Sequence, residues 1–514
     1  MLHRLLRQHV FIALTVLVAG CATIDLDYPR TDSRAYTDTD DTQLGRAVSE
    51  HKSSHPEESG FFPLVDGIDA LAARLLLAER AERSIDAQYF LIHDDRVGHA
   101  FLEALMRAAD RGVRVRLLID DLHMGGHDAG LAAIDAHPNM EIRLFNPFGH
   151  RKVRALDAAG GLRRMVRRMH NKSFTVDNQI TIIGGRNIGD EYFNASEDVK
   201  FGDLDVAAVG PVVRDVSTMF DSYWNHKAAI PMPAISSMPD DPDAALRELR
   251  EKVVRSITEV SESRYAEAIR SSILDRLQGN ADAYTWAPYQ LIYDSPDKSQ
   301  PGEAATAASI TESLRKTVID ARKELLVITA YFVLRDEEID GFREYRQRGI
   351  EVFVLTNSLA SNNHTISHSG YAPIRKPLLE AGIRLFELRA DASVPGDKRV
   401  GIEDAKSTLH AKTFLVDRKR LFIGSFNWNQ RSRNIDSEMG VIIESEELAA
   451  EFAERFFATI EEQAYEVFLN EQGKLRWRGT EDGREVVLSK EPQTGFWRRF
   501  SAAFLRILPV KSQL

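Results

Sequence analysis

Apolar side chains recur every third or fourth residue over 68–80, then give way to the β-rich, partly alternating run Ile85-Asp86-Ala87-Gln88-Tyr89-Phe90. The first spacing predicts an amphipathic helix and the second a strand. The order repeats at once, with a helical pattern over 98–111, then Gly112, then a second strand over 113–120. Far downstream the chain does the same: helix 310–321, strand 325–332, helix 337–348, Gly349 and strand 351–355. Arg111-Gly112 and Arg348-Gly349 lie 237 residues apart, and Ile142-Arg143-Leu144-Phe145 returns as Ile383-Arg384-Leu385-Phe386 after 241. Helices alternating with strands predict an α/β fold, and the recurrence predicts two similar halves, each a sheet flanked by helices.

The rest of the chain has a different texture. Arg4 and Arg7 precede an apolar run from Val10 to Ala19, interrupted by Thr15 and closed by Gly20-Cys21. That is the order of a secretory signal, and the run is too short for a hydrocarbon core of ~30 Å. Residues 22–60 are polar and acidic, with Asp25, Asp27, Asp32, Asp38, Asp40 and Asp41, and read as a tether. The expected division is therefore a signal (1–20), a tether (21–60), a first half (61–228), a helical and loop insert (229–305), a second half (306–470) and a tail (471–514). The insert carries a charged helix near 244–261 and a loop at Ser295-Pro296-Asp297-Lys298, with no assignable chemistry. In the tail, Phe496, Trp497, Phe500, Phe504, Ile507 and Leu508 share a helical face punctuated by Arg498, Arg499 and Arg506. Such a helix suits either a membrane surface or packing on the core.

Composition narrows the function classes. A net charge of -11 argues against a globally basic nucleic-acid binder, and 43% hydrophobic with 28% charged residues excludes a disordered or polytopic chain. One cysteine, Cys21, allows no disulfide framework and no cysteine-based zinc site. Arg151, Lys152, Arg154, Arg163, Arg164, Arg167 and Arg168 cluster between His150 and Arg168, opposed by Asp157. They read either as a solvated segment or as a positive rim for phosphates of lipid or nucleic acid. The pairs His123/His127 and His364/His368 have the spacing of zinc ligands on a helix but lack a metalloprotease Glu and sit beside Gly or Asn. They read as loop or pocket-lining residues, and no metal is expected.

The chemistry lies in a longer repeat. His170-Asn171-Lys172 is followed after four residues by Asp177 and after six more by Gly184-Gly185-Arg186-Asn187. His410-Ala411-Lys412 is followed at the same spacing by Asp417 and by Gly424-Ser425-Phe426-Asn427, 240 residues on. On a strand, residues two apart share a face, so each His lies beside a Lys, a suitable pair for a phosphate. Asp177 and Asp417 fall at turns after the strands. Gly184, Gly185, Gly424 and Ser425 are small enough for backbone to approach phosphoryl oxygens, with Asn187 and Asn427 as further donors. Phosphodiester exchange needs one group to attack phosphorus and another to protonate the leaving alkoxide, and two histidines supply both.

These residues resemble the paired HxKxxxxD motifs, each with its G-[GS]-x-N continuation, of the phospholipase D superfamily. The resemblance implies two α/β halves packed as a pseudo-dimer around one shared active site. It also implies a covalent phosphohistidine, with the second histidine acting as acid and base. His170 is assigned as nucleophile and His410 as acid/base, a choice the sequence itself leaves open. Lys172 and Lys412 would stabilise charge without metal or cofactor, and Asp177 and Asp417 would support the geometry. Asp203 and Glu438, each before an apolar strand, would each orient a histidine. Gly185 departs from the commoner Ser.

Within the superfamily, roughly 58–514 is similar to bacterial cardiolipin synthases of the C type, through Leu144-Phe145-Asn146-Pro147-Phe148, both motifs and Leu355-Thr356-Asn357-Ser358-Leu359-Ala360. That similarity implies phosphatidyl transfer onto phosphatidylglycerol, with phosphatidylethanolamine as donor, at a membrane surface and with no nucleic-acid partner. Phospholipase D hydrolysis to phosphatidic acid differs only in the second nucleophile, and an anchored nuclease or phosphate-binding scaffold is a third reading. The small residues before Cys21 resemble a bacterial lipobox, which implies thioether lipidation of that thiol. Ala22 after it implies a periplasm-facing lipoprotein of the outer membrane. The lipobox is a departure from the C type. The oligomeric state stays open.

Overall fold

The computed structural model describes residues 25–506 apart from 26, 152, 155–156, 158–163, 197, 259–282, 301–308, 394–404 and 482. The signal segment and Cys21 lie outside the described residues. Among the described residues, nine strands form a first sheet and ten a second. The first comprises β1 (Ser59–Leu64), β2 (Ser84–Tyr89), β3 (Arg114–Asp120), β4 (Met140–Phe145), β5 (Ser173–Val176) and β6 (Ile180–Gly184). After β7 (Val199–Gly202), which stands apart, it is completed by β8 (Asp205–Val209), β9 (Ala229–Pro231) and β10 (Thr285–Ala287). Its order is β10-β1-β8-β6-β5-β2-β3-β4-β9.

The second sheet begins with β11 (Tyr289–Tyr293), β12 (Glu324–Thr329), β13 (Glu351–Asn357) and β14 (Arg384–Leu388). Beyond β15 (Lys406–Leu409), also apart, come β16 (Lys412–Val416), β17 (Arg420–Gly424), β18 (Met439–Glu444), β19 (Ala464–Leu469), β20 (Leu475–Glu481) and β21 (Arg484–Leu488). Its order, β11-β18-β17-β16-β12-β13-β14-β19-β20-β21, repeats the β8-β6-β5-β2-β3-β4-β9 succession strand for strand. In each half a parallel trio is joined to an antiparallel hairpin that carries the His-Lys motif.

Local chemistry explains the recurrent junctions. Helices Arg96–Asp110 and Asp336–Gln347 both end at an Arg-Gly pair, with Gly112 at φ 93° and Gly349 at φ 80°. A left-handed residue there closes the helix and turns the chain into the next parallel strand, a conformation that glycine alone adopts without cost from Cβ. Helices Pro211–Trp224 and Glu446–Gln463 bring Phe220, Trp224, Phe456 and Ile460 into a central core that also takes Ile183 and Val206 of the first sheet and Leu415 and Ile423 of the second. Two further cores lie on the outer faces, under Leu71 and Phe101 in one half and Leu314 and Phe342 in the other. The halves are thus packed through a core that both build, as the resemblance implied.

Three expected boundaries move. The stretch read as a tether is bound to the first half: Arg30 donates to Lys227 O at 2.6 Å, and Arg114 stacks over Tyr36 at 3.8 Å. A helix, Gln43–Ser54, buries Leu44 and Val48. Its few apolar residues need no core of their own because they use the neighbouring half's. The insert expected over 229–305 gives β9 and β10 to the first sheet and β11 to the second, and its helix runs Pro242–Thr258. The tail from 471 extends the second sheet by β20 and β21.

Candidate active site

Parallel pairing between the halves assembles the site. β7 of the first half pairs with β15 of the second, in the register Gly202↔Leu409, so the next residues, Asp203 and His410, emerge side by side. Gly202 O accepts from both His410 N (2.7 Å) and Ala411 N (2.9 Å). The other histidine is placed in the same way, by a parallel bridge Met169↔Ser437 in which His170 N donates to Ser437 O at 2.8 Å. His170 and Glu438 then follow as neighbours. The carboxylates are therefore exchanged: His410 Nδ1 donates to Asp203 Oδ2 at 2.5 Å and His170 Nδ1 to Glu438 Oε2 at 2.8 Å. A proton on Nδ1 held by a carboxylate leaves Nε2 of each ring for chemistry.

The lysines close the constellation. Lys172 Nζ donates to His170 O at 2.5 Å, and Lys412 Nζ lies 3.0 Å from His410 Nε2. Burial, then Lys172 and Lys412, hold His170 well below its usual pKa, and burial with Lys412 pushes His410 down to about 3. Burial lowers Lys172 to about 7 and Lys412 to about 8. Each lysine's field reaches both histidines, which places the two motifs in one site. Burial would raise Asp203, but His410 and Lys412 outweigh it and hold the carboxyl well below its usual range. Glu438 behaves oppositely, with burial pushing it up to about 7 against the pull of Lys172. With both histidines held neutral, the two lysines face one firmly ionised carboxylate and one that titrates near 7, and a phosphodiester anion takes up the remaining positive charge.

Other expected residues sit elsewhere. Asp177 and Asp417 lie seven residues beyond their histidines, at the far ends of β5 and β16, and do not reach the reacting groups. Asp177 accepts from the backbone N–H groups of Glu82, Arg83 and Ser84, and Asp417 from those of Arg322, Lys323 and Glu324. Each ties the hairpin to the start of the parallel strand beside it, a positioning role. The small residues after β6 and β17 make room for the carboxylates. A Cβ at Gly185 would lie 2.1 Å from Asp203 Oδ1, while Ser425 Oγ donates to Glu438 Oε2 at 2.5 Å. Asn187 and Asn427 are buried, each with its side-chain oxygen unbonded among the described residues.

Among the described residues the arginine cluster is bonded back to the protein. Arg151 pairs with Asp121 and Asp128, Arg154 with Asp121, Arg164 donates to Pro147 O, Arg167 to Lys298 O and Arg168 to Asn146 O. Lys152 and Arg163 fall outside the described residues. The spaced histidines divide: His123 meets the ring of Phe90, which also meets His170 at 5.0 Å, and His364 lies beside Tyr331, whereas His368 is buried against Glu491. Among the described residues no group of three or more His, Cys, Asp or Glu is arranged to hold a metal.

Sequence reasoning missed several supports. Phe201 stacks on His410 at 5.3 Å with Tyr192 edge-on at 5.1 Å, so both imidazoles are clamped by aromatic rings. Arg186, buried in the G-G-R-N stretch, donates to Leu64 O, Val65 O and Asp203 O, fixing the backbone that carries the carboxylate. Asp294, from the insert, accepts from Glu438 N at 3.1 Å and pairs with Lys298 at 2.7 Å. Phe90 was foreseeable from its place at the carboxyl end of a parallel strand. Asp294 follows β11 as Asp66 follows β1, but the two lie 228 residues apart rather than 240, so the motif displacement gave no sign of the match.

Two α/β halves that exchange carboxylates onto a histidine pair over two lysines define a phosphodiester-processing enzyme of the phospholipase D superfamily. Residues 76–224 and 314–460 each match the family described as "Cardiolipin synthase, PLD-like domain", and the chain belongs to that family. It is 39% identical to cardiolipin synthase C of Escherichia coli over 473 residues, covering 91% of this chain and 99% of that protein. A cardiolipin synthase of Clostridium perfringens is 22% identical over 381 residues, 74% of this chain and 65% of the relative. Phosphatidylserine synthase of Haemophilus influenzae shares the fold, with a TM-score of 0.57 at 13% identity, over 91% of this chain and 100% of that one.

Proposed function

We propose that this chain is a phosphatidyltransferase of cardiolipin synthase type, acting by double displacement through a phosphohistidine and anchored to a membrane through Cys21. The observation that carries the reaction is the exchanged pairing of His170 with Glu438 and His410 with Asp203 around two buried lysines. The 39% identity to a cardiolipin synthase over nearly its whole length supports the lipid substrate class.

His170 Nε2 attacks the phosphorus of a phospholipid donor. The P–N bond forms as the P–O bond to the headgroup alcohol breaks, and the leaving oxygen takes a proton from His410 Nε2. A hydroxyl of phosphatidylglycerol then gives its proton to His410 and attacks phosphorus, breaking the P–N bond and freeing His170. The unequal carboxylates favour this division of roles. Burial and Lys412 hold His410 neutral until a phosphate anion enters between the lysines and offsets their field, and the ionised Asp203 then supports the imidazolium that donates the proton; Glu438, at about 7, leaves His170 neutral and nucleophilic. The lysines hold the equatorial phosphoryl oxygens as charge spreads onto them.

Among the described residues no helix is long and apolar enough to cross a membrane. The anchor is therefore assigned to Cys21 in the lipobox-like Val18-Ala19-Gly20-Cys21, with Ala22 favouring the periplasmic face of the outer membrane. The test is the mature protein in mixed micelles of phosphatidylglycerol and labelled phosphatidylethanolamine, with no added metal. Cardiolipin is the expected product. Phosphatidic acid alone would make the enzyme a hydrolase, and cleavage of DNA without lipid turnover would overturn the lipid reading. Fractionated membranes from cells carrying Cys21→Ala test the anchor, which predicts loss of the protein from the outer-membrane fraction.

A further inference from the structure

The helix Phe496–Leu505 is mounted firmly on one face and left bare on the other. Ala502 is buried, Arg498 Nη2 donates to Asn362 O at 2.6 Å, and Arg499 donates to Thr494 O. Just before the helix, Glu491 takes Arg375 at 2.6 Å and His368 at 3.3 Å, and Arg375 also holds buried Glu387 at 3.0 Å. The outward face shows Phe496 (65% exposed), Trp497 (75%), Phe500 (53%) and Phe504 (56%), four of the nine large apolar side chains exposed among the described residues. Phe496, Trp497 and Phe500 touch one another, with centroids 5.3 to 6.3 Å apart. Scattered exposed apolar residues need no explanation, but a contiguous aromatic patch does.

Cations gather at the root of this helix. Lys406 Nζ donates to the same Asn362 O as Arg498, at 3.2 Å, and neither side chain has a carboxylate partner among the described residues. Arg498 Nε is buried without an acceptor. Lys406 opens β15, whose last residue, Leu409, precedes His410, so one strand joins the cations at the root of the helix to the active site.

We propose that the helix Phe496–Leu505 is the face that docks this enzyme on an anionic bilayer, its aromatic rings at the headgroup boundary and a lipid phosphate between Lys406 and Arg498. Charge selects this occupant: Arg498 and Arg499 on the helix, Arg506 at its C-cap and Lys406 beside Arg498 complement anionic headgroups, whereas two copies facing each other would set like charges together. The inference deepens the lipid reading above and rests on it for its purpose, since a docked helix beside β15 brings the site to its substrate.

The test uses the full-length chain with Cys21→Ala, so that no acyl anchor contributes, floated with vesicles of phosphatidylcholine alone or mixed with phosphatidylglycerol. The combined variant Phe496→Ser/Trp497→Ser/Phe500→Ser/Phe504→Ser is expected to lose binding to both vesicles by about tenfold or more. Lys406→Gln with Arg498→Gln is expected to abolish the preference for mixed vesicles while keeping the weaker binding. An unchanged thermal midpoint in both variants establishes that the fold persists. The proposal is overturned if the aromatic variant floats as its parent does, or if its only change is from dimer to monomer. A parent that floats through this face yet turns over no lipid would leave docking standing and remove the catalytic reading.

Discussion

The two halves share a strand order and a motif, yet they brace their histidines differently. His170 leans on a glutamate that a serine hydroxyl also holds, while His410 leans on an aspartate facing a glycine. The pairs are matched: at 185 any Cβ would collide with Asp203, so the loss of the serine and the shorter acid come together. The longer Glu438 leaves space that Ser425 fills. The consequence is electrostatic, since one carboxylate is firmly ionised and the other titrates near neutrality. The two halves thus give their histidines different electrostatic settings, on which the proposed division of roles rests.

Removing either imidazole of that division has the largest effect. His170→Ala and His410→Ala are each expected to cut turnover by about 10³-fold or more. Labelled donor separates them, because the phosphoryl label should stay on the His410→Ala chain and be absent from His170→Ala. Label on the opposite variant would exchange the two roles. Next in size, Asp203→Asn should cost about 10²-fold, removing the charge that supports the imidazolium, whereas Glu438→Gln should cost about tenfold. Turnover should follow a bell in pH, rising as Glu438 ionises near 7 and falling as Lys172 and Lys412, at about 7 and 8, lose their protons, and Glu438→Gln should flatten the acid limb alone in a pH–rate profile.

Smaller effects distinguish the two turn aspartates. Both accept three backbone N–H groups, but Asp177 is fully buried and Asp417 is not. Asp177→Ala should therefore destabilise by about 2 kcal/mol and Asp417→Ala by about 1 kcal/mol in denaturant melts. Burial raises the pKa of Asp177, so its contribution grows on acidification. Burial opposes but does not overcome the backbone bonds that lower Asp417, whose contribution is lost as pH falls below its ordinary 3.8. The gap between the variants should widen in acid. Smallest of all, Thr413 lines a cavity of about 130 Å³ behind His410, with its hydroxyl unbonded. Thr413→Val should raise stability by about 0.5 kcal/mol with turnover kept.

The repeat was legible because strand and helix periods mark apolar faces, and because His, Lys, Asp and Asn recur at one displacement. What pairs across the halves was not. Met169 meets Ser437 and Gly202 meets Leu409 at separations that no local period encodes. Asp203 and Glu438 were named as orienting acids, but their exchange between halves follows from those bridges. The arginine cluster misled because counting charges over 150–168 overlooks Asp121 and Asp128, its acceptors, which lie upstream in the chain. The stretch before 60 misled because its own composition says nothing of the surface it lies on.

The β7–β15 pairing makes catalysis a discrete property. Strands slide only in whole residues, about 3.3 Å at a time, and one step would set Gly202 or Leu204 beside His410 in place of Asp203. No graded loosening of the seam tunes the rate: the strands are either in step, with the His410 proton held by Asp203, or out of step without it.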